Sequence, residues 1–138
     1  MTNRLCLTLG LLLAAGAFSQ GGRTIQVDVT YTGSGTVDAR HKIYIAMWDS
    51  ADMNGAPPVA VQPLDSKKGA VTFANAPKPA YISSAYDPKG QWDAQSPPPS
   101  GSSIGMYSSK PPTPEPINAD PGKTVKVKLT FDDSNKAP

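Results

Sequence analysis

Alternation of apolar and polar residues at both ends of the domain constrains this chain more than any other feature. Residues 24–31 read TIQVDVTY and residues 124–131 read TVKVKLTF. In both segments every second side chain is apolar, a period of two that indicates a strand with one buried face and one solvent face. The lysines on the solvent face of the second segment discourage edge pairing with other chains. The domain is therefore expected to begin and end with strands.

Shorter apolar segments between these two predict further strands. The segment KIYIAMWD (residues 42–49) is apolar on both faces, as suits a central strand covered on both sides. The segment PVAVQPL (residues 58–64) contains prolines, so it is either an edge strand or an extended loop. Four more candidates are AVTFANA (70–76), AYISSAYD (80–87) and the weaker SIGMYSS (103–109) and EPINAD (115–120).

The spacing of these segments predicts the fold class. Fifteen prolines and twelve glycines fall mostly between the apolar runs and punctuate them as turns. No segment after residue 20 has the spacing of an amphipathic helix. Short strands separated by frequent turn signals predict an all-β, seven-stranded antiparallel Greek-key β-sandwich over residues 21–131. Residues 132–138, DDSNKAP, are polar and are expected to form a flexible tail.

Residues 1–20 have the pattern of a cleaved signal peptide. Arg4 precedes an apolar run from Leu7 to about Ala17, and small residues follow it. The run is shorter than the roughly 20 residues that a membrane-spanning helix needs. Cys6, the only cysteine, would leave with this peptide, so the mature chain would have no disulfide and no thiolate ligand. We therefore expect a secreted or periplasmic protein.

The charge balance excludes two classes of partner. Thirteen Lys and Arg stand against eleven Asp and Glu. A nucleic-acid-binding domain should show a marked basic excess, and so should a polybasic membrane-binding patch. We therefore expect no nucleic-acid partner and no insertion into a membrane after cleavage.

Two consecutive segments carry a resemblance to a known family. Gly69–Pro77 and Tyr81–Asp87 are similar to the paired strand motifs of prealbumin-like sandwiches, which include transthyretin and carboxypeptidase regulatory-like domains. The enzymatic branch that this resemblance brings in, the hydroxyisourate hydrolases, uses several histidines and a C-terminal Tyr-Arg-Gly-Ser motif. This chain has the single histidine His41 and ends in SNKAP, which excludes that branch. The resemblance implies a non-enzymatic exported module.

Catalytic and metal-binding patterns are weak. His41 lies in the polar segment DARHKI, and the sequence pattern offers no nucleophile or orienting residue beside it. No Gly-x-Ser-x-Gly motif occurs, so we predict no catalytic residue and no enzyme. Asp49, Asp87 and Asp93 follow predicted strands and offer oxygen ligands that suit calcium. Aspartates at strand ends also cap turns through backbone hydrogen bonds. The metal alternative is a calcium-binding or metal-dependent hydrolytic domain; otherwise no cofactor is expected.

Aromatic residues provide the candidate ligand site. The proline-rich stretch Tyr86–Ser109 contains Trp92 among polar residues, and Trp48 ends an apolar strand. Such side chains stack on sugars or anchor peptides. A loop over the end of a sandwich usually folds back, however, with Trp92 as a lid packed by the prolines that follow it. The candidate ligand-binding residues are Trp48, Tyr86, Trp92 and Tyr107. We predict a non-catalytic module that binds a protein or glycan at the cell surface through these aromatics or an unpaired edge strand. A self-associating structural role in the envelope is the third alternative, and the oligomeric state stays open.

Overall fold

The computed structural model describes residues 21–138, and those residues form strands and loops without a helix. The all-β prediction is therefore confirmed. The predicted signal peptide and Cys6 lie outside the described residues. The strands are β1 (Thr24–Tyr31), β2 (Ile43–Trp48), β3 (Ala60–Leu64), β4 (Lys68–Phe73), β5 (Tyr81–Tyr86), β6 (Ile104–Met106) and β7 (Thr124–Phe131).

The strands form two sheets. The first sheet has the order β4-β1-β7 and the second has the order β3-β2-β5-β6. Neighbouring strands are antiparallel except β1 and β7, which are parallel. The prediction of an antiparallel sandwich is wrong for this pair. A period-two pattern fixes which side chains face the core, but it carries no information about the direction of the neighbouring strand.

Both sheets bury one face in a shared hydrophobic core. On β1 the side chains of Ile25, Val27, Val29 and Tyr31 are buried, and on β7 the apolar positions of TVKVKLTF follow the same alternation. The second sheet contributes alternate residues of β2 and β5 to the same cluster. Two sheets around one core give a β-sandwich-like arrangement.

The observed strand limits decide between strand and loop for two of the shorter segments. The segment PVAVQPL contains the edge strand β3, in which Pro63 is exposed at the sheet margin. The segment EPINAD forms only an isolated bridge between Ile117 and Ala80. Proline is tolerated in β3 because one side of an edge strand has no ladder partner for its missing N–H.

The glycine-rich loop after β1 encloses a pair of stacked aromatic rings. Tyr31 and Tyr86 lie with ring centroids 5.1 Å apart, and the Tyr86 hydroxyl donates to the Thr36 carbonyl at 2.6 Å. A Cβ atom at Gly33 would lie 2.4 Å from the Tyr31 ring, and one at Gly35 would lie 2.5 Å from the Tyr86 ring. Only glycine lets the backbone approach the two rings this closely.

Residues 132–138 are attached to both sheets. The Asp133 carboxylate accepts hydrogen bonds from the Tyr31 hydroxyl at 2.5 Å, the Ser103 hydroxyl at 2.7 Å and the Ser34 amide at 2.8 Å. Ala137 is buried, and its backbone N–H and C=O bond with residues 101 and 102. The sequence shows no apolar anchor here because alanine carries little apolar surface. The flexibility of this segment stays a prediction, but its contacts are those of a docked segment.

Candidate functional site

The outer face of the second sheet is unusually apolar for a surface. Tyr44, Ala46 and Trp48 alternate with buried residues of β2, so their side chains lie on the side away from the core. The register places them opposite Ala85, Ser83 and Tyr81 of β5. By contrast, the outer face of β7 is made of threonine and lysine. We call the half-buried side chains Tyr44, Trp48 and Tyr81 the aromatic face.

Trp48 is held in place by one hydrogen bond. Its indole Nε1 donates to the Ser83 hydroxyl at 2.9 Å, across to the neighbouring strand. Tyr81 is its direct cross-strand partner. Side chains in such positions on adjacent strands lie within contact distance. Trp48 and Tyr81 therefore present a pair of half-buried rings on a rigid sheet.

The connection from β5 to β6 reaches the other part of this face. Trp92 packs edge-on against Tyr44, with ring centroids 5.2 Å apart and planes at 86°. Its Nε1 donates to the Ser96 carbonyl at 3.0 Å, which closes a local turn. Trp92 therefore folds back onto the sheet as a lid over Tyr44, while remaining only half-buried itself.

Asp87 organises the start of this connection. The residue is 2% exposed, and its carboxylate accepts backbone hydrogen bonds from Lys89, Gly90 and Trp92 at 3.2, 3.0 and 2.9 Å. Gly90 has a φ of +69°, and a Cβ there would lie 2.4 Å from the Arg40 carbonyl oxygen. A buried carboxylate and an obligatory glycine thus set the position of Trp92.

The other two predicted metal ligands are placed differently. The Asp93 carboxylate accepts from the Gln95 amide at 2.9 Å and the Ser96 hydroxyl at 3.3 Å. Asp49 is exposed at the end of β2. Among residues 21–138, no group of three or more His, Cys, Asp or Glu side chains is arranged to hold a metal ion. Asp87 and Asp93 act on the backbone as turn-capping aspartates do.

A depression of about 400 Å³ lies beside the lid. Asp87, Trp92, Asp93 and Ser96 border it, together with two prolines of the proline-rich stretch. The depression thus combines one aromatic ring with carboxylate and hydroxyl oxygens. This combination suits a ligand that has both an apolar face and hydroxyl groups.

Tyr86 and Tyr107 are part of the core rather than of the aromatic face. Tyr86 is 6% exposed, and burial raises the pKa of its hydroxyl. Tyr107 is half-buried and packs against the core, and burial and the neighbouring Glu115 raise its pKa. Sequence reasoning missed Tyr44 and Tyr81 instead. Counting in twos back from Trp48 along its strand would have found Tyr44, since alternate residues share a face.

His41 lies in an exposed turn with Asp38. The His41 Nδ1 atom and the Asp38 Oδ1 atom are 2.8 Å apart, and the same carboxylate accepts from the backbone amides of Arg40 and His41. The hydrogen bond with the His41 ring, followed by those from the two amides, lowers the pKa of Asp38. This pair closes a turn between β1 and β2.

Comparison with protein-family models, with curated proteins and with solved structures finds no match for the chain. No helix within the described part of the chain is long and apolar enough to cross a membrane.

Proposed function

We propose that this domain is a non-catalytic, exported binding module that takes a glycan on the aromatic face and the neighbouring lid. The single observation that carries the proposal is the placement of Trp48 and Tyr81 as adjacent half-buried rings on the outer side of a sheet. Aromatic rings offer apolar area that stacks on the C–H face of a sugar ring, while nearby polar groups bond its hydroxyls. The Ser83 hydroxyl contacts Trp48, and Asp93 and Ser96 border the depression beside Trp92 of the lid.

A rigid platform favours this type of binding. Trp48 is fixed by its hydrogen bond to Ser83, and Trp92 is fixed by Tyr44 and by the capped turn that Asp87 builds. Binding therefore orders few side chains, which lowers its entropic cost. A flat protein partner is the second candidate for the same face, since exposed aromatic patches also mark protein interfaces.

We also propose a more specific fold for this domain. We take the domain to be a seven-stranded Greek-key sandwich of prealbumin-like type, preceded by a cleaved signal peptide. Support comes from the sheets of three and four strands around one core. The two family-like segments also form strands β4 and β5, one in each sheet. An exported domain of this type would meet cell-surface glycans or proteins.

Tryptophan fluorescence tests the glycan proposal. The chain has two tryptophans, both in the candidate site, so its tryptophan emission reports on that site alone. We expect titration with a panel of soluble polysaccharides to quench or shift this emission for at least one of them, and Trp48→Phe to remove most of that response. Thr72→Ala, on the outer face of the first sheet, is the matched control and should leave the response unchanged. Identical spectra with every polysaccharide would rule the glycan proposal out.

Self-association distinguishes the structural-envelope alternative from a binding module. A binding module of this size should elute as one species in size-exclusion chromatography over a hundredfold range of concentration. Elution volumes that fall steadily as concentration rises would favour the envelope alternative.

A further inference from the structure

The outer edge of β7 is an open strand edge. β1 and β7 are parallel neighbours, and the carbonyls of Lys123 and Phe131 accept hydrogen bonds from β1 and the residue that follows it. In a parallel pair the N–H and C=O of one residue point to the same side, and successive residues alternate. The backbone groups of Lys126, Lys128 and Thr130 therefore point away from β1. No strand within residues 21–138 pairs with them.

A groove of about 580 Å³ adjoins this edge. It runs between the end of β7, at Thr130 and Phe131, and the outer edge of β6, at Ile104 and Met106. The first two apolar residues of β7 are less completely covered than their counterparts in the middle strand of the sheet. Val125 is half-buried and Val127 is 7% exposed, whereas Val27 of β1 is fully buried. Leu129, nearer the groove, is 1% exposed, so the core is less completely covered only at the start of β7.

The chemistry of the edge specifies an extended peptide. Alternating free N–H and C=O groups along a straight edge are matched by another strand. A strand added there would turn alternate side chains outward, beside Lys126 and Lys128, and the others inward, toward the groove. Both lysine side chains are exposed. Opposite charges on adjacent strands stabilise a pairing, and like charges destabilise it.

The same lysines exclude a second copy of this edge. An antiparallel pairing of β7 with β7 from another molecule would bring Lys126 and Lys128 beside their own equivalents. The lysines therefore oppose a like-charged strand, as lysines on other sheet edges do, and favour acidic residues on an added strand. Asp28 of β1 lies in register beside Lys128 and offsets part of its charge. Lys136 adds positive charge at the groove, where Asp132 is an exposed carboxylate of opposite charge.

We infer that the open edge of β7 binds an extended segment of a partner protein in which acidic and apolar residues alternate. The acidic side chains lie beside Lys126 and Lys128, and the apolar side chains enter the groove between β6 and β7. The backbone of the segment pairs with Lys126, Lys128 and Thr130 and continues the first sheet by one strand. The pairing strand β7 is on the opposite sheet from the aromatic face, and the groove, which also borders β6, is lined by no residue of the aromatic face or the lid. The site therefore does not depend on the proposed glycan binding.

Synthetic peptides test this inference on the unmodified protein. We use a fluorescein-labelled octapeptide that alternates glutamate and valine, and two control peptides. One control has the same composition with all glutamates first, and the other alternates lysine and valine. Fluorescence anisotropy should show binding of the alternating acidic peptide at least tenfold tighter than either control. Amide exchange should slow at Lys126, Lys128 and Thr130 when that peptide is bound.

A variant with reversed charge at the edge of β7 tests the role of the lysines. In Lys126→Glu/Lys128→Glu we expect the preference to reverse toward the lysine–valine peptide, because both side chains point to solvent and their replacement leaves the core intact. Lys68→Glu, on the outer face of β4 at the far edge of the same sheet, should keep the original preference. Equal binding of the alternating and block peptides overturns the inference, since simple charge attraction would then suffice. Slowed exchange at Ala70 and Thr72 of β4, without protection of β7, overturns it as well.

Discussion

Removal of the Asp133 carboxylate should destabilise the domain well beyond what an ordinary surface substitution does. The carboxylate side chain is 32% exposed, yet two of its four hydrogen-bond donors, the hydroxyls of Tyr31 and Ser103, belong to residues that are each 2% exposed. In Asp133→Ala these two hydroxyl protons lose their acceptor. The Ser34 amide lies on an exposed residue and can bond to water instead.

The magnitude follows from those two buried donors. A buried polar group left without a partner costs about 1–3 kcal/mol, so two of them cost about 2–6 kcal/mol. Water can enter the space that the partly exposed carboxylate leaves, which places the expected loss in the lower part of this range, at about 2–4 kcal/mol. For a domain of this size that corresponds to a fall in melting temperature of roughly 10 °C.

Urea unfolding followed by tryptophan fluorescence measures this loss directly. Asp132→Ala is the matched control, because its carboxylate bonds only within its own exposed turn, to Ser134. The control should unfold at the wild-type urea concentration. If both variants lose the same stability, the cluster around Asp133 does not hold the end of the chain to the two sheets, and the reasoning fails.

The remaining predictions concern pH, the glycine-rich loop and the lid. Hydrogen bonds from Tyr31, Ser103 and Ser34 hold the pKa of Asp133 far below its ordinary value. The Asp133 carboxylate therefore stabilises the folded domain above its unfolded pKa of about 3.9, and this stabilisation is lost as pH falls below that value. In urea titrations the difference in stability between wild type and Asp133→Ala should be constant from pH 7 to 5 and shrink below pH 4. Gly35→Ala should lose about 1–3 kcal/mol through contact with the Tyr86 ring, whereas Gly21→Ala, which has open space around it, should lose none. Asp87→Ala should shift tryptophan emission to the red, because the lid around Trp92 loosens without the hydrogen bonds that the carboxylate accepts. Millimolar calcium should leave the wild-type melting temperature unchanged, because backbone amides already occupy the Asp87 carboxylate. A calcium-dependent rise of several degrees would support the metal alternative instead.

The strands of this domain were largely readable from the sequence, for a physical reason. A strand at a solvent boundary must alternate, and the segments at residues 24–31 and 124–131 do so without exception. Their mutual direction was not readable, because pairing between the first and last strands depends on the path of the whole chain. The contacts of residues 132–138 were not readable from the sequence, for a related reason. The partners of Asp133 lie about 30 and 100 residues away along the chain, and no local pattern connects them.

The candidate site was only half readable. Trp48 and Trp92 were singled out, and they lie on the outer face of the second sheet and in the lid, whereas Tyr86 faces the core. Tryptophan stands out in any sequence, but counting in twos shows only that Tyr44 shares a face with Trp48, not that this face is the outer one. The strand KIYIAMWD is apolar on both faces, and only the structure distinguishes its core side from the aromatic face.

The most direct test of glycan binding at the aromatic face is to map the backbone amide chemical-shift changes by solution NMR. The ligand to add is a polysaccharide that changes the tryptophan emission. We expect the shifts to concentrate on residues 44–48 and 81–85 and on the lid around Trp92, and the first sheet to stay unperturbed. Shifts confined to the first sheet, or spread evenly over the domain, would contradict it.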